Sequence, residues 1–253
     1  ATTEIYTLSL RDALPIYTFP MRTDTAPFDD NNVRMALKHA VNREEIVEKI
    51  LYGHGTVGND HPIAPSVAYH AADLEQRNYD PDKAKFYAKK AGGISVKRSA
   101  ADAAFAGAVD AATLYKEHAA AAGIEIEVVR EPNDGYWSNV WMKKAWGACY
   151  WGGRPTQDWM FSTAYQGGGS WNDTFWAHTR FDELLISARA ETDSEKRRAM
   201  YFEMQQIVRD EGGVVVPMFA NNVWAASDKI AHGSLAQNWT MDGNKFMEKW
   251  WFA

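Results

Sequence analysis

The stretch Pro27 to Leu51, PFDDNNVRMALKHAVNREEIVEKIL, constrains the fold of this chain more than any other, because its punctuation confines it to two short helices in tandem. Asp29 or Asp30 can cap the first, whose Val33, Leu37, Ala40 and Val41 fall on one stripe. Asn42 can cap the second, with Glu45 three residues on as a capping box requires. Gly53 supplies the stop. Side-chain oxygens at the two helix starts serve amides that would otherwise be left without partners, so the break between the helices is built in.

The rest of the chain alternates helix and strand. The segment GHGTVGNDHPIAPS (residues 53–66) is too rich in Gly, Pro and polar residues for either element. Asp80-Pro81 opens a helix that Gly92 follows, and Ile94 to Arg98 reads as a short strand. Ala106 to Ala122 is an Ala-rich helix closed by Gly123; Ile124, Ile126 and Val128 then alternate with Glu125 and Glu127 as a half-buried strand. Gly135 to Lys144 reads as helix, Ala145 to Trp151 as a buried strand, and Asp158 to Tyr165, Phe181 to Ala190 and Ser194 to Asp210 as helices. Val214 to Phe219 and Val223 to Ser227 are the last clear strands, before a Trp-rich tail without period. Such alternation points to an α/β layer.

Composition removes several function classes. With 253 residues, 46% hydrophobic and 24% charged, the chain reads as globular, and no apolar run approaches a membrane span. A formal charge of −6 with interspersed basic residues argues against a nucleic-acid partner. The single cysteine, Cys149, excludes an internal disulfide and any Cys-rich metal site; within an apolar strand it reads as a buried structural thiol. Eleven tryptophans raise the prospect of a stacking pocket.

The Pro-Phe-Asp opening, the Val-Arg-x-Ala-Leu core and the Asn-Arg-Glu restart closely resemble the family 5 extracellular solute-binding proteins, which deliver peptides and related solutes to ABC importers. Tyr79 to Gly92, Ala119 to Arg130 and Arg180 to Phe219 are similar to further segments of that family, in the same order and spacing. The resemblance implies a type II periplasmic-binding-protein-like α/β fold of two lobes around a ligand cleft, mainly the C-terminal lobe being present here. Residues 17–230 are then the ligand-binding lobe, and residues 231–253 a tail returning to an N-terminal lobe that lies outside the chain. Read back into codons, ATTEIYTLSLRDALPI (residues 1–16) looks like a translated sequencing-library adaptor, expected to be disordered and to pack poorly.

By the same resemblance the ligand wall lies between Gly135 and Asn172. In the family the loop after the strand at Ala145 to Trp151 carries an acid that pairs with the amino terminus of a bound peptide; here Arg154 falls at that place. A guanidinium can clamp a carboxylate or phosphate and would repel an ammonium. Asp158 can restore an acidic contact if the loop is shifted, or pair with Arg154. Trp151, Trp159, Trp171, Trp176, Tyr136 and Trp137 are the aromatic candidates, and about two of the six are expected to touch ligand. Gly152, Gly153 and the run Gly167 to Gly169 can bring backbone close to a ligand or mark plain turns, and Asn172 resembles a recurrent family Asn whose amide both donates and accepts.

The implied protein is a periplasmic or lipid-anchored binding component, monomeric when full length, that captures a peptide or similar polar solute for a membrane permease without cofactor or covalent chemistry. An opine or oligosaccharide is the alternative ligand. A carbohydrate-active enzyme is the reading from a different class, resting on Glu131, Asp134, Asp158 and Asp173 among the aromatics. His54, His61 and His70, with Asp60 and Asp73, match no zinc spacing and read as solvated loop residues.

Overall fold

The structure, a computed structural model, describes residues 3–8, 14–235 and 240–253. Strands β1 (Thr3–Leu8) and β2 (Ile16–Pro20) precede helices α1 (Asn31–His39) and α2 (Arg43–Ile50), a short strand β3 (Gly55–Val57) and α3 (Pro81–Lys90). Next come β4 (Ser95–Ala100), α4 (Ala108–Ala120) and β5 (Glu125–Arg130), a parallel crossover unit, and then α5 (Tyr136–Asn139) and β6 (Cys149–Trp151). Helices α6 (Gln157–Ala164), α7 (Thr179–Ala190) and α8 (Ser194–Glu211) lead back to β7 (Val214–Ala220). The chain ends with β8 (Asn222–Ser227), β9 (Ile230–His232), α9 (Thr240–Asn244), α10 (Phe246–Lys249) and β10 (Trp250–Phe252). Among the described residues no helix is long and apolar enough to cross a membrane.

A four-stranded antiparallel sheet, ordered β3-β7-β2-β6, divides two apolar cores. On one side Phe19, Val215 and Met218 pack with α1, α2, α4 and the β4/β5 pair; on the other Ile16, Val214, Val216 and Phe219 pack with α6, α7 and α8. Burial on both faces explains why β7 is an unbroken apolar run, VVVPMFA. Its register against β2 shifts between Tyr17 and Phe19, so that Val216 and Pro217 together oppose Thr18. This bulge accommodates a proline within a central strand and resets which residues face each core.

The caps formed largely as their chemistry dictates. Asp30, not Asp29, caps α1 by accepting from the Asn32 amide at 2.8 Å; Asn42 accepts from the Glu45 amide at 3.1 Å, and Asp80 from Lys83 at 2.8 Å. The reciprocal half of the capping box is absent from α2, because Glu45 is drawn to His118 and Lys49 while the Asn42 amide donates to His118 Nδ1.

The loop after α2 departs from its sequence reading. Gly55 to Val57 pairs with β7, and Asn59, Asp60 and His61 are buried, not solvated. Gly58 makes this approach possible: a Cβ there would stand 2.1 Å from the Val216 carbonyl oxygen. Asp60, fully buried, accepts from Arg43 Nη2 at 2.8 and 2.7 Å, from Arg77 Nη1 at 2.8 Å and from the Val216 amide at 3.0 Å. Arg77 continues to Asp210 at 2.6 Å, and the buried Lys38 ammonium donates to the carbonyls of Arg209 and Gly212 at 2.8 Å, closing the C-terminal end of α8. Two guanidiniums and Lys38 outweigh desolvation and hold the Asp60 carboxyl below the usual carboxylate range.

Other segments are corrected by the structure. Helix after Gly135 lasts only through Asn139, and Met142, with a positive φ of 57°, turns the chain away. Ala145 to Trp151 pairs as a strand only from Cys149, since Trp146 instead bridges Met21 and its carbonyl accepts from the Ser99 amide, joining the two sheets. Part of the segment 1–16 also enters the fold. Residues 3–8 pair with β8 in a separate two-stranded sheet, and Leu14 and Ile16 are buried in the second core; residues 1–2 and 9–13 lie outside the described residues.

Arg98, on β4, is 0% exposed, with its guanidinium 3.6 Å from the Phe19 ring centroid and near the rings of Tyr115 and Trp146. None of its three nitrogens has a protein acceptor among the described residues, and burial lowers its pKa to about 9.

These buried charges set two expectations for stability. Asp60→Asn strands two buried guanidiniums and should destabilise by about 3–5 kcal/mol in urea unfolding. Because the folded pKa of Asp60 is lowered, its stabilisation is complete above the ordinary carboxylate range and should fade as pH falls through and below it. Arg98→Met should instead gain about 1–4 kcal/mol, and a loss would mean that cation–π contacts outweigh the desolvation.

Candidate functional site

At the β6 edge of the sheet, residues from α5 to the loop before α7 enclose a cleft of about 470 Å³. It is lined by Trp137, Trp141, Trp171, Gly152, Arg154 and β6 itself, Cys149 to Trp151. The indoles of Trp141, Trp151 and Trp171 lie 5.6 to 6.3 Å apart, mutually tilted by 58 to 66°. Trp137 continues the row, 5.9 Å from Trp141 and 5.5 Å from Tyr150. Trp151 is buried, whereas Trp171 is 56% and Trp137 40% exposed, so the cluster has a floor and an open wall. Edge-to-face packing of this kind holds rings rigidly, and rigid aromatic faces lose little conformational freedom on meeting a ligand.

The sheet fixes the floor. Trp151 pairs with Ile16 and Cys149 with Thr18, whose hydroxyl also donates to the Cys149 carbonyl. Tyr136 lies beneath: its hydroxyl donates to the Ala148 carbonyl at 2.8 Å and accepts from the Ala148 amide at 3.1 Å, and burial pushes its pKa up to about 12. Burial also raises the Cys149 thiol, which stays protonated as a structural group.

Arg154 is the only charged side chain lining the cleft among the described residues. Its Nη1 donates to the Gly152 carbonyl at 2.5 Å, and its guanidinium lies 5.5 Å from the Trp159 ring centroid. Arg154 does not pair with Asp158. Asp158 turns to Arg189 of α7, at 2.5 Å, and lies outside the lining.

Of the six aromatic candidates, Trp137, Trp151 and Trp171 line the cleft. Tyr136 is a buried support, Trp176 packs against Phe181 and His178, and Trp159 lies under Arg154. Gly152 lines the cleft and Gly153 does not; the run Gly167 to Gly169 is a turn whose first amide donates to Asp182. Asn172 lies outside the lining and clamps its own loop. Its Nδ2 donates to the carbonyls of Gln166 at 3.1 Å and Trp176 at 2.7 Å, while its Oδ1 accepts from the amide and hydroxyl of Thr174. It is buried and engaged through both its donor and its acceptor atoms.

Two residues escaped the sequence reading of the wall. Trp141, four residues after Trp137, is central to the cluster. Asp173, weighed only as one of several carboxylates, is buried behind the floor and accepts from Trp141 Nε1 at 3.1 Å. Burial raises its pKa to about 6 against the opposing contributions of Trp141, Cys149 and Trp151. None of the four carboxylates considered for glycoside hydrolysis lines the cleft; Glu131, for example, accepts from the Ser99 hydroxyl at 2.7 Å.

Known proteins resemble this chain in sequence and in fold. A dipeptide-binding protein of Escherichia coli (strain K12) is 29% identical over 206 residues, which are 75% of this chain and 37% of the relative. A nickel-binding periplasmic protein of the same organism is 37% identical over 87 residues, 34% of this chain and 16% of that protein. In three dimensions, the periplasmic binding protein DppA from Helicobacter pylori, in complex with the peptide STSA, matches 99% of this chain and 49% of its own with a TM-score of 0.84 at 18% identity. The oligopeptide-binding protein AppA from Bacillus subtilis, in complex with a nonapeptide, gives 0.81 at 20% identity, covering 99% of this chain and 52% of its own. These likenesses identify the fold as that of periplasmic binding proteins, and the chain spans about half the length of these two structures. The description "Bacterial extracellular solute-binding proteins, family 5 Middle" matches residues 4–173, and the chain belongs to that family.

Proposed function

We propose that this chain is a lobe of the substrate-binding component of an ABC importer, and that its indole-lined cleft is one wall of the site for a peptide or related small polar solute. The observation that carries the reading is the coincidence of an open aromatic wall with the edge of a rigid sheet, in a chain whose family and relatives bind solutes. Residues 17–230 constitute this lobe, and residues 231–253 return to the other half of the protein. A second lobe would close over the cleft, exclude water and carry the solute to a membrane permease outside the cytoplasm. The chemistry needed is recognition and release, without bond making, and the full-length protein acts as a monomer.

Arg154 favours a ligand that presents a carboxylate to the rim, because it is the charged group of the lining and, by the family resemblance, falls where peptide binders are expected to carry an acid. A peptide would then lie with its carboxyl end toward Arg154 and an apolar side chain across Trp171 and Trp137. An opine-like solute satisfies the same chemistry.

Titration of indole fluorescence with free dipeptides and their carboxyl-terminal amides tests this reading. Arg154→Met should weaken binding of the free acid by about 10–100-fold, the worth of one charge-assisted hydrogen bond, and leave the amide nearly unchanged. Trp171→Ala should weaken both forms while the unfolding midpoint stays close to that of the unmodified protein, since the ring is more than half exposed. Equal affinity of the variants and the parent would reject the assignment of the wall.

A further inference from the structure

The carboxylate of Asp173 has no place in direct ligand contact, and yet it is the group around which the cleft floor is arranged. Its residue is 4% exposed. Trp141 Nε1 donates to its Oδ2 at 3.1 Å, and Cys149 and Trp151, both floor residues, also interact with it. The loop that carries it carries Trp171 two residues earlier, and Asn172 between them clamps that loop to Gln166, Thr174 and Trp176. One acid thus stands behind three indoles that belong to three different segments: the turn after α5, strand β6 and the loop before α7.

The titratable and indole groups that act on it most are neutral. They are the Cys149 thiol from β6 and the Tyr165 phenol after α6, each kept protonated by burial beside this acid, and the indoles of Trp141 and Trp151. The leading influences on Asp173 are burial and its neutral neighbours Trp141, Cys149 and Trp151. A buried carboxylate cut off from water holds the one N–H that serves it, that of Trp141, pointed at it, because losing that donor would leave the charge without a replacement.

We propose that Asp173 is a positioning residue for the ligand wall: it orients Trp141, and through it the Trp151–Trp171 cluster, so that the shape of the aromatic floor depends on its ionisation. The functional consequence rests on the reading of the cleft as a ligand site, whereas the orientation of the indoles does not. With its pKa raised to about 6, Asp173 is an acceptor-only carboxylate above that pH and a carboxylic acid with a proton of its own to place below it. The linkage has a definite sign. Between the ordinary carboxylate pKa and about 6 the folded state holds the proton that the unfolded state releases, so stability falls as pH rises through that window and levels off above it.

The test uses no ligand, so its failure is distinct from a failure of solute binding. Near-ultraviolet circular dichroism of the indoles is followed against pH in a background where His178 and His232, which pack on Trp176 and Trp250, are replaced by Asn. The parent should show a step with its midpoint at about pH 6. Asp173→Asn should abolish the step and raise the thermal midpoint more at alkaline than at mildly acidic pH. Trp141→Phe, which keeps the acid and removes the donor, should lose most of the step while the pH dependence of stability persists; it carries the test if Asp173→Asn does not fold. A parent without the step, a step that survives Asp173→Asn, or one unchanged in Trp141→Phe would overturn the proposal.

Discussion

One buried carboxylate, Asp60, ties helices from both cores to the central sheet. Asp60 accepts from Arg43 of α2, from Arg77 ahead of α3 and from the backbone of β7, while Arg77 and Lys38 extend the network to the C-terminal turn of α8. Those elements come from both cores, so the network joins what the sheet separates. Burying such charges gives no stability of itself, since desolvation offsets most of the attraction. Removing one partner is another matter, because the remaining charges have neither water nor a counter-ion. The pairing therefore specifies which helices meet at the sheet, and the apolar clusters supply the driving force.

That division of labour extends to the cleft. The sheet ends in β6 at an edge, and an edge strand can present alternate side chains to solvent while its backbone is held on one side by β2. Cys149 and Trp151 point into the protein and Tyr150 is half exposed, so three consecutive residues contribute both floor and rim. Supports such as Tyr136 and Asn172 spend their hydrogen-bonding groups on backbone, which fixes the start of the strand and the following loop. Solute recognition needs this order in advance, because each side chain frozen on binding weakens the complex.

The legible parts of the fold were those written in local chemistry. Asp30, Asn42 and Asp80 cap helices within three residues of themselves, and the apolar run of β7 and the alternation of β5 need no distant partner to be read. What escaped was made through space. Asp60 and His61 lie in a Gly- and Pro-rich loop that looks solvated until β3 brings it against β7, and Arg98 sits in a strand whose alternation says nothing of the rings that enclose it. At the cleft, Arg154, singled out by resemblance, and Trp171, singled out as an aromatic, both fall in the lining, but Trp141 was hidden in a segment that read as ordinary helix. Asn172, singled out by family resemblance, spends its amide on the loop that carries Trp171, which no local pattern announces. Leu14 and Ile16 show that a segment of foreign appearance can still complete a core when it offers an apolar residue at the right register.

The central claim is that solute meets this chain at the indole wall, and indole-resolved magnetic resonance tests it most directly. Each tryptophan contributes one Nε1–H signal, and fast exchange reports even weak binding to a single wall. Titration with a dipeptide should move the signals of Trp137, Trp141, Trp151 and Trp171 and leave those of Trp146 and Trp176, buried in the two cores, in place. Shifts confined to other tryptophans, or none among these four at saturating solute, would contradict the account.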